Sequence, residues 1–158
     1  MKTRKTNASG LTLIELMIVV SILAILAAIT LPRFSNATDN AKSGSVATQI
    51  NTIKKSLLLY KTDHNDTYPT TAQLITNQWQ VLTNTTDING NIAGSDFGPY
   101  FTKPPLNPFT SSSTVAADNS GGWQYNPATG TIQAVVPQDV IDQASALNLD
   151  TANLVAAP

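Results

Sequence analysis

Glu15 is the one carboxylate inside a twenty-one-residue run, Leu11 to Leu31, that is otherwise apolar or small. An acid at the centre of a membrane-length helix costs about 2.5–3.5 kcal/mol on insertion scales, so its presence predicts a task and a partner. The chemistry open to it is charge pairing. A cation delivered into the same apolar medium neutralises two groups that are each expensive to bury alone. The bland alternative is a protonated or snorkelling acid, because Glu15 sits only four residues from the start of the run.

Other residues able to do chemistry are few. His64 is the only histidine and falls in the polar turn Asp63-His-Asn-Asp66, which predicts an exposed imidazole rather than a general base. Asp87, Asn89, Asn91 and Asp96 have hard-oxygen spacing. Gly90 is misplaced for a calcium loop, however, and no Glu closes it, so this segment reads as a solvated loop with calcium as the lesser alternative. There is no Gly-x-Ser-x-Gly, phosphate loop or His-Glu-x-x-His. The lack of cysteine excludes a disulfide framework, a thiolate metal site and a thiol nucleophile. Tyr68, Trp79, Tyr100 and Trp123 could line a groove, but in a small domain aromatics usually build the core. These observations predict a protein that is not an enzyme and carries no cofactor.

The elements that position Glu15 come next. Twenty-one residues at 1.5 Å each make about 31 Å of helix, close to the hydrocarbon thickness of a bilayer. Lys2, Arg4 and Lys5 precede the run and nine of the ten acidic residues follow it, which keeps the short basic tail cytoplasmic and exports the rest. No basic stripe marks a nucleic-acid surface. Ser35-Asn36-Ala37 could end a cleaved secretory signal, but the apolar core is too long for one and contains an acid.

Pro32 removes a backbone donor and crowds Ala28, so a kink is expected there without an end to the helix. Beyond it Ala37, Ala41, Val46, Ile50, Ile53, Leu57 and Tyr60 trace one apolar stripe, while Gly44 weakens the middle. A helix from Leu11 to about Lys61 has a length on the order of 75 Å. Thr70 or Thr71 can cap a short helix over Ala72–Trp79. Residues 80–121 read mostly as loop. Gly122–Asn126 and Thr131–Val136 alternate around Pro127–Gly130, a hairpin that would turn Trp123, Tyr125, Ile132, Ala134 and Val136 toward the long helix.

The stretch Gly10-Leu-Thr-Leu-Ile-Glu15-Leu-Met-Ile-Val-Val, with its basic leader and Pro32 at the far end, resembles the class III signal of type IV pilins and type II secretion pseudopilins. Thr67-Tyr68-Pro69-Thr70, Phe97-Gly98-Pro99-Tyr100-Phe101, Pro104-Pro105-Leu106-Asn107-Pro108 and Gly122-Trp123-Gln-Tyr125 are similar to segments of the major pseudopilins in the same order.

The resemblance implies that a prepilin peptidase cuts after Gly10 and methylates the new amine of Leu11. Glu15 then faces the Leu11 amine of a neighbouring copy. It also implies an α+β, pilin-like fold with a lollipop outline, in which a long N-terminal helix packs on a small antiparallel sheet. The expected parts are a cleaved leader 1–10, an apolar half-helix 11–31, an amphipathic half 32–62, a periplasmic head 63–137 and a loose, partly helical tail 138–158. The implied partners are copies of the chain, minor pseudopilins or pilins, the peptidase and an inner-membrane assembly platform. The implied setting is the inner membrane and then a periplasmic secretion filament, with a surface pilus as the alternative. Two departures stand out: Leu11 replaces the usual Phe, and the acidic, Gly-rich calcium loop that normally closes the head is not visible.

Overall fold

A computed structural model describes residues 12–146 and 150–158, and of residues 30–37 and 146 the backbone alone. Gly10 and Leu11 lie outside the described residues. One helix, α1 (Leu13–Asp63), runs for 51 residues and continues past Pro32, because a proline costs the ladder a single donor that the turns on either side can survive. The chain divides into two compact units at Asn40/Ala41, inside α1.

The second unit, Ala41–Pro158, holds the core. Val46, Ile50, Ile53, Leu57 and Tyr60 of α1 are buried at the spacing of three and four that puts them on one helix face. Each such side chain contributes about 1.5–3 kcal/mol by leaving water. Ala41, at the start of the same stripe, stays exposed.

Past α1, Thr70 caps a π-helical turn, Thr71–Thr76. Its hydroxyl accepts from the Gln73 amide, and the Gln73 side chain reaches back to the Thr70 amide, a reciprocal capping box. A short helix α2 (Gln80–Thr83) follows and buries Val81 and Leu82.

Four strands form one sheet in the order β1-β2-β3-β4: β1 (Val115–Ala116), β2 (Trp123–Asn126), β3 (Thr131–Val136) and β4 (Leu154–Ala156). The β2–β3 hairpin is antiparallel and opposes Tyr125 to Ile132. All five residues expected to face the long helix are buried, as is Val135 from the other side of the strand.

The sheet is mixed rather than purely antiparallel, since β1 pairs with β2 and β4 with β3 in parallel. The parallel β3–β4 pair needs a crossover, and α3 (Gln138–Ala146) lies in that connection. The tail expected to be loose and partly helical thus holds a helix and, beyond it, an edge strand that was not expected.

His64 corrects a second expectation. It is buried, not exposed. Its ring stacks on Tyr60 with centroids 3.7 Å apart, and Phe97 and Tyr100 lie around it. A carbonyl can only accept, so Nδ1–H donates to Tyr60 O at 2.7 Å, while Nε2 is hydrogen-bonded to the Thr86 hydroxyl at 3.0 Å. The polar look of the turn comes from its neighbours; α1 turns the imidazole itself inward, one turn beyond Tyr60.

Candidate assembly site

Thr12 immediately precedes α1 and caps it. Its hydroxyl accepts from the Glu15 amide at 3.2 Å, and the Thr12 amide donates to Glu15 Oε2 at 2.8 Å. The Thr12 hydroxyl donates to the same oxygen at 2.8 Å. This is a capping box, Thr12-Leu-Ile-Glu15, readable as S/T-x-x-E before an apolar run but masked in the sequence by the question of what cation Glu15 meets. The carboxylate so held lies at the positive end of the helix macrodipole. Both bonds fall on Oε2, and Oε1 accepts none among the described residues.

Beyond the cap, α1 exposes twelve large apolar side chains between Leu13 and Ile29, each 47–77 % accessible. A soluble monomer rarely leaves a continuous apolar surface uncovered, so this face fits a lipid medium or other copies of itself. No helix among the described residues is by itself long and apolar enough to cross a membrane. The described apolar side chains run from Leu13 to Ile29, inside the longer run 11–31. Of the four expected site residues, Glu15 is placed with its side chain and Pro32 with its backbone. The expectations on Gly10 and Leu11 fall outside the described residues.

In the head, the recognisable short segments are stitches between elements. Tyr125 donates from its hydroxyl to Pro69 O at 2.9 Å and so fastens the Tyr68-Pro69-Thr70 segment to β2. Tyr100 donates to Asp63 at 2.8 Å, tying the Gly98-Pro99-Tyr100 segment to the end of α1. Trp123 Nε1 donates to Pro105 O at 3.0 Å. Fully buried Asn107 donates from Nδ2 to Gly122 O and Val135 O, both at 2.7 Å, and accepts from Phe109 N at 2.9 Å. Trp79 and Trp123 are core, with Tyr68 and Tyr100 packed against it, so these aromatics line no groove.

Asp87 spends its carboxylate on its own loop. Oδ1 accepts from the Asn89 and Asn91 amides and Oδ2 from the Asn91 side chain. The Asn91 bonds hold its carboxyl below the usual range. Among the described residues no three His, Asp or Glu side chains gather to hold a metal. A shallow groove of about 520 Å³ over the outer face of β2–β3 is lined by Gln124, Asn126, Thr131 and Gln133 among others, with no carboxylate, imidazole or amine.

Comparison with known proteins bears on both ends of this arrangement. Residues 5–31 match the prokaryotic N-terminal methylation motif, and residues 33–125 match type II secretion system (T2SS) protein G. The chain belongs to the protein G family of type II secretion.

Over 70 residues it is 43 % identical to the type II secretion system core protein G of Pseudomonas aeruginosa, covering 44 % of this chain and 49 % of that one. It is 37 % identical over 70 residues to the protein of the same name in Klebsiella michiganensis, with the same coverage. The type IV wide pilus major component PilA4 of Thermus thermophilus is 41 % identical over 69 residues, 44 % of this chain and 53 % of that one. The matched segment spans about half the length of these curated relatives, and no solved structure matches. The protein G match ends at Tyr125, the third residue of β2, so β3, α3 and β4 lie beyond the part described by the family.

Proposed function

We infer that this chain is a non-enzymatic structural subunit of a type II secretion pseudopilus, anchored by its apolar half-helix and then drawn into a periplasmic filament. The observation that carries this reading is the pairing of a methylation motif with a protein G segment on one helix whose first half is apolar all round and uncovered. A helix of that kind folds stably only where lipid or neighbouring helices replace water.

In this reading a prepilin peptidase cuts after Gly10 and methylates Leu11, creating a cation at the helix start. The capping box presents Glu15 with Oε1 open to the Leu11 amine of an adjacent copy. Such a pair fixes register more than it adds net stability, because desolvating both charges offsets much of their attraction. Pro32 lets the two halves of the helix adopt different directions in the filament. No metal or cofactor takes part, and minor pseudopilins and an inner-membrane platform complete the assembly.

The testing experiment is Glu15→Ala in the full chain, co-produced with its peptidase. Insertion should be unchanged or improved while filaments drop by roughly tenfold or more, because the register the pair fixes is lost. Normal filaments from this variant would remove the pairing. The likeness to PilA4 favours a surface pilus as the second reading. Loss of secreted proteins in a deletion strain supports the first reading, and loss of surface fibres alone supports the second.

A further inference from the structure

Outside the apolar half-helix, the described residues expose only five large apolar side chains, and four of them form two patches. Leu58 and Leu59 of α1 are 58 % and 57 % accessible; Ile88 and Ile92 in the loop after Thr86 are 40 % and 39 % accessible. Leu57 points into the core, and at about 100° per residue the next two side chains turn to the outer side of α1. The Thr86–Phe97 loop instead packs beside buried His64, just past the end of α1. It is closed by the Thr86–Phe97 bridge, Thr86 meets His64, and Gln73 Nε2 donates to Asn89 O at 2.8 Å. All four side chains stay exposed, so the two patches do not cover each other within one copy.

Asp63, one turn past Leu59, is held by the Tyr100 hydroxyl, so the open charges beside the two patches are opposite in sign. Lys54 and Lys55 are exposed beside the leucines; Lys54 reaches Asn153, and Lys55 has no ion-pair or hydrogen-bond partner among the described residues. Asp87 and Asp96 flank the isoleucines at the two ends of the loop, and Asp96 is exposed with no cation paired to it among the described residues.

We propose that the Leu58/Leu59 patch of one copy docks on the Ile88/Ile92 loop of the next, with Lys55 facing Asp96. The contact rests on the assembly reading above and specifies which head surfaces it uses. Two different patches make a heterologous contact, which propagates as an open helix where its rotation does not close a ring. Four side chains fall far short of the roughly 1,200–2,000 Å² in total that a stable pair buries. The patches thus order copies that the apolar helices already hold together, and the charges select the orientation.

The chain has no cysteine, so a designed pair reports contacts without background. In the full chain assembled with its peptidase, Leu59→Cys together with Ile92→Cys should give, on mild oxidation, a ladder of covalent multimers that neither single variant gives. Filaments without a ladder, or a disulfide-linked dimer from Leu59→Cys alone, overturn the proposal and leave the assembly reading intact. Should the cysteine pair fail to assemble, charge reversal decides. Lys55→Asp and Asp96→Lys should each lower filament yield about fivefold and their combination should restore it to within twofold, whereas single variants like wild type, or a combination no better than they are, overturn it. Absence of filaments from the unmodified chain with its peptidase removes the assembly reading, and this contact with it.

Discussion

At the scale of the residue, His64 and Asn107 are buried polar side chains in the head held by several hydrogen bonds each. Asn107 is the clearest, because it donates to carbonyls from two different strand ends. Asn107→Asp should destabilise the head by about 2–5 kcal/mol at neutral pH, since two carbonyls lose their donors and a carboxylate is left buried against them. The folded pKa of that Asp would be raised, so stability is retained below the unfolded value of about 3.9 and lost as pH rises. Urea denaturation at pH 3.5 and pH 7 should show the gap widening with pH; a pH-independent loss would contradict it. His64→Ala should cost about 2–4 kcal/mol in the same assay by emptying a stacked, doubly bonded site. Burial, and then the Asp87 charge, push the Tyr60 phenol up to about 12. Its contribution is complete below pH 10 and lost as pH rises through 12, so Tyr60→Phe should flatten part of the alkaline fall in stability. Glu15 was legible as the residue that needs explaining. Thr12 hides behind it although its spacing spells a cap, and the burial of His64 is hidden because a one-residue step from Asp63 separates solvent from core.

At the scale of the element, what could be read followed from periodicity. The stripe from Val46 to Tyr60 and the alternation in Trp123–Asn126 and Thr131–Val136 each named a buried face correctly. Elements without a period were lost. Leu154–Ala156 is too short to show alternation, and its parallel pairing with β3 depends on α3 returning the chain to the right edge. Val115–Ala116 is a strand of two residues whose free side is met by a side chain: Gln78 accepts from the Val115 amide at 2.9 Å and donates to its carbonyl at 3.0 Å. No local pattern foretells an amide 37 residues away. The hairpin turn carries its own requirement, since Gly130 has φ 68° and its missing Cβ leaves room for the Tyr68 ring. Gly130→Ala should lower head stability by about 1–3 kcal/mol through strain and overlap together, measured by thermal unfolding. An unchanged midpoint would mean that the turn reshapes freely.

At the scale of the whole molecule, the two units contrast. The unit from Ala41 onward closes a core of its own, whereas the first presents apolar side chains that nothing among the described residues covers. That contrast is the physical basis for reading the chain as a subunit. In the proposed subunit the head is the exported surface and the apolar helix supplies the force for assembly. Because Asp87 is satisfied by its own loop, calcium or a chelator should move the melting temperature of the head by less than about 1 °C; a clear calcium-dependent rise would restore a metal site to the account. The account turns on whether a new amine is made next to Glu15, and mass spectrometry of the amino terminus of the membrane-extracted protein tests that most directly. It predicts a chain beginning at methylated Leu11; a chain that still begins at Met1, or one trimmed beyond Leu31, contradicts it.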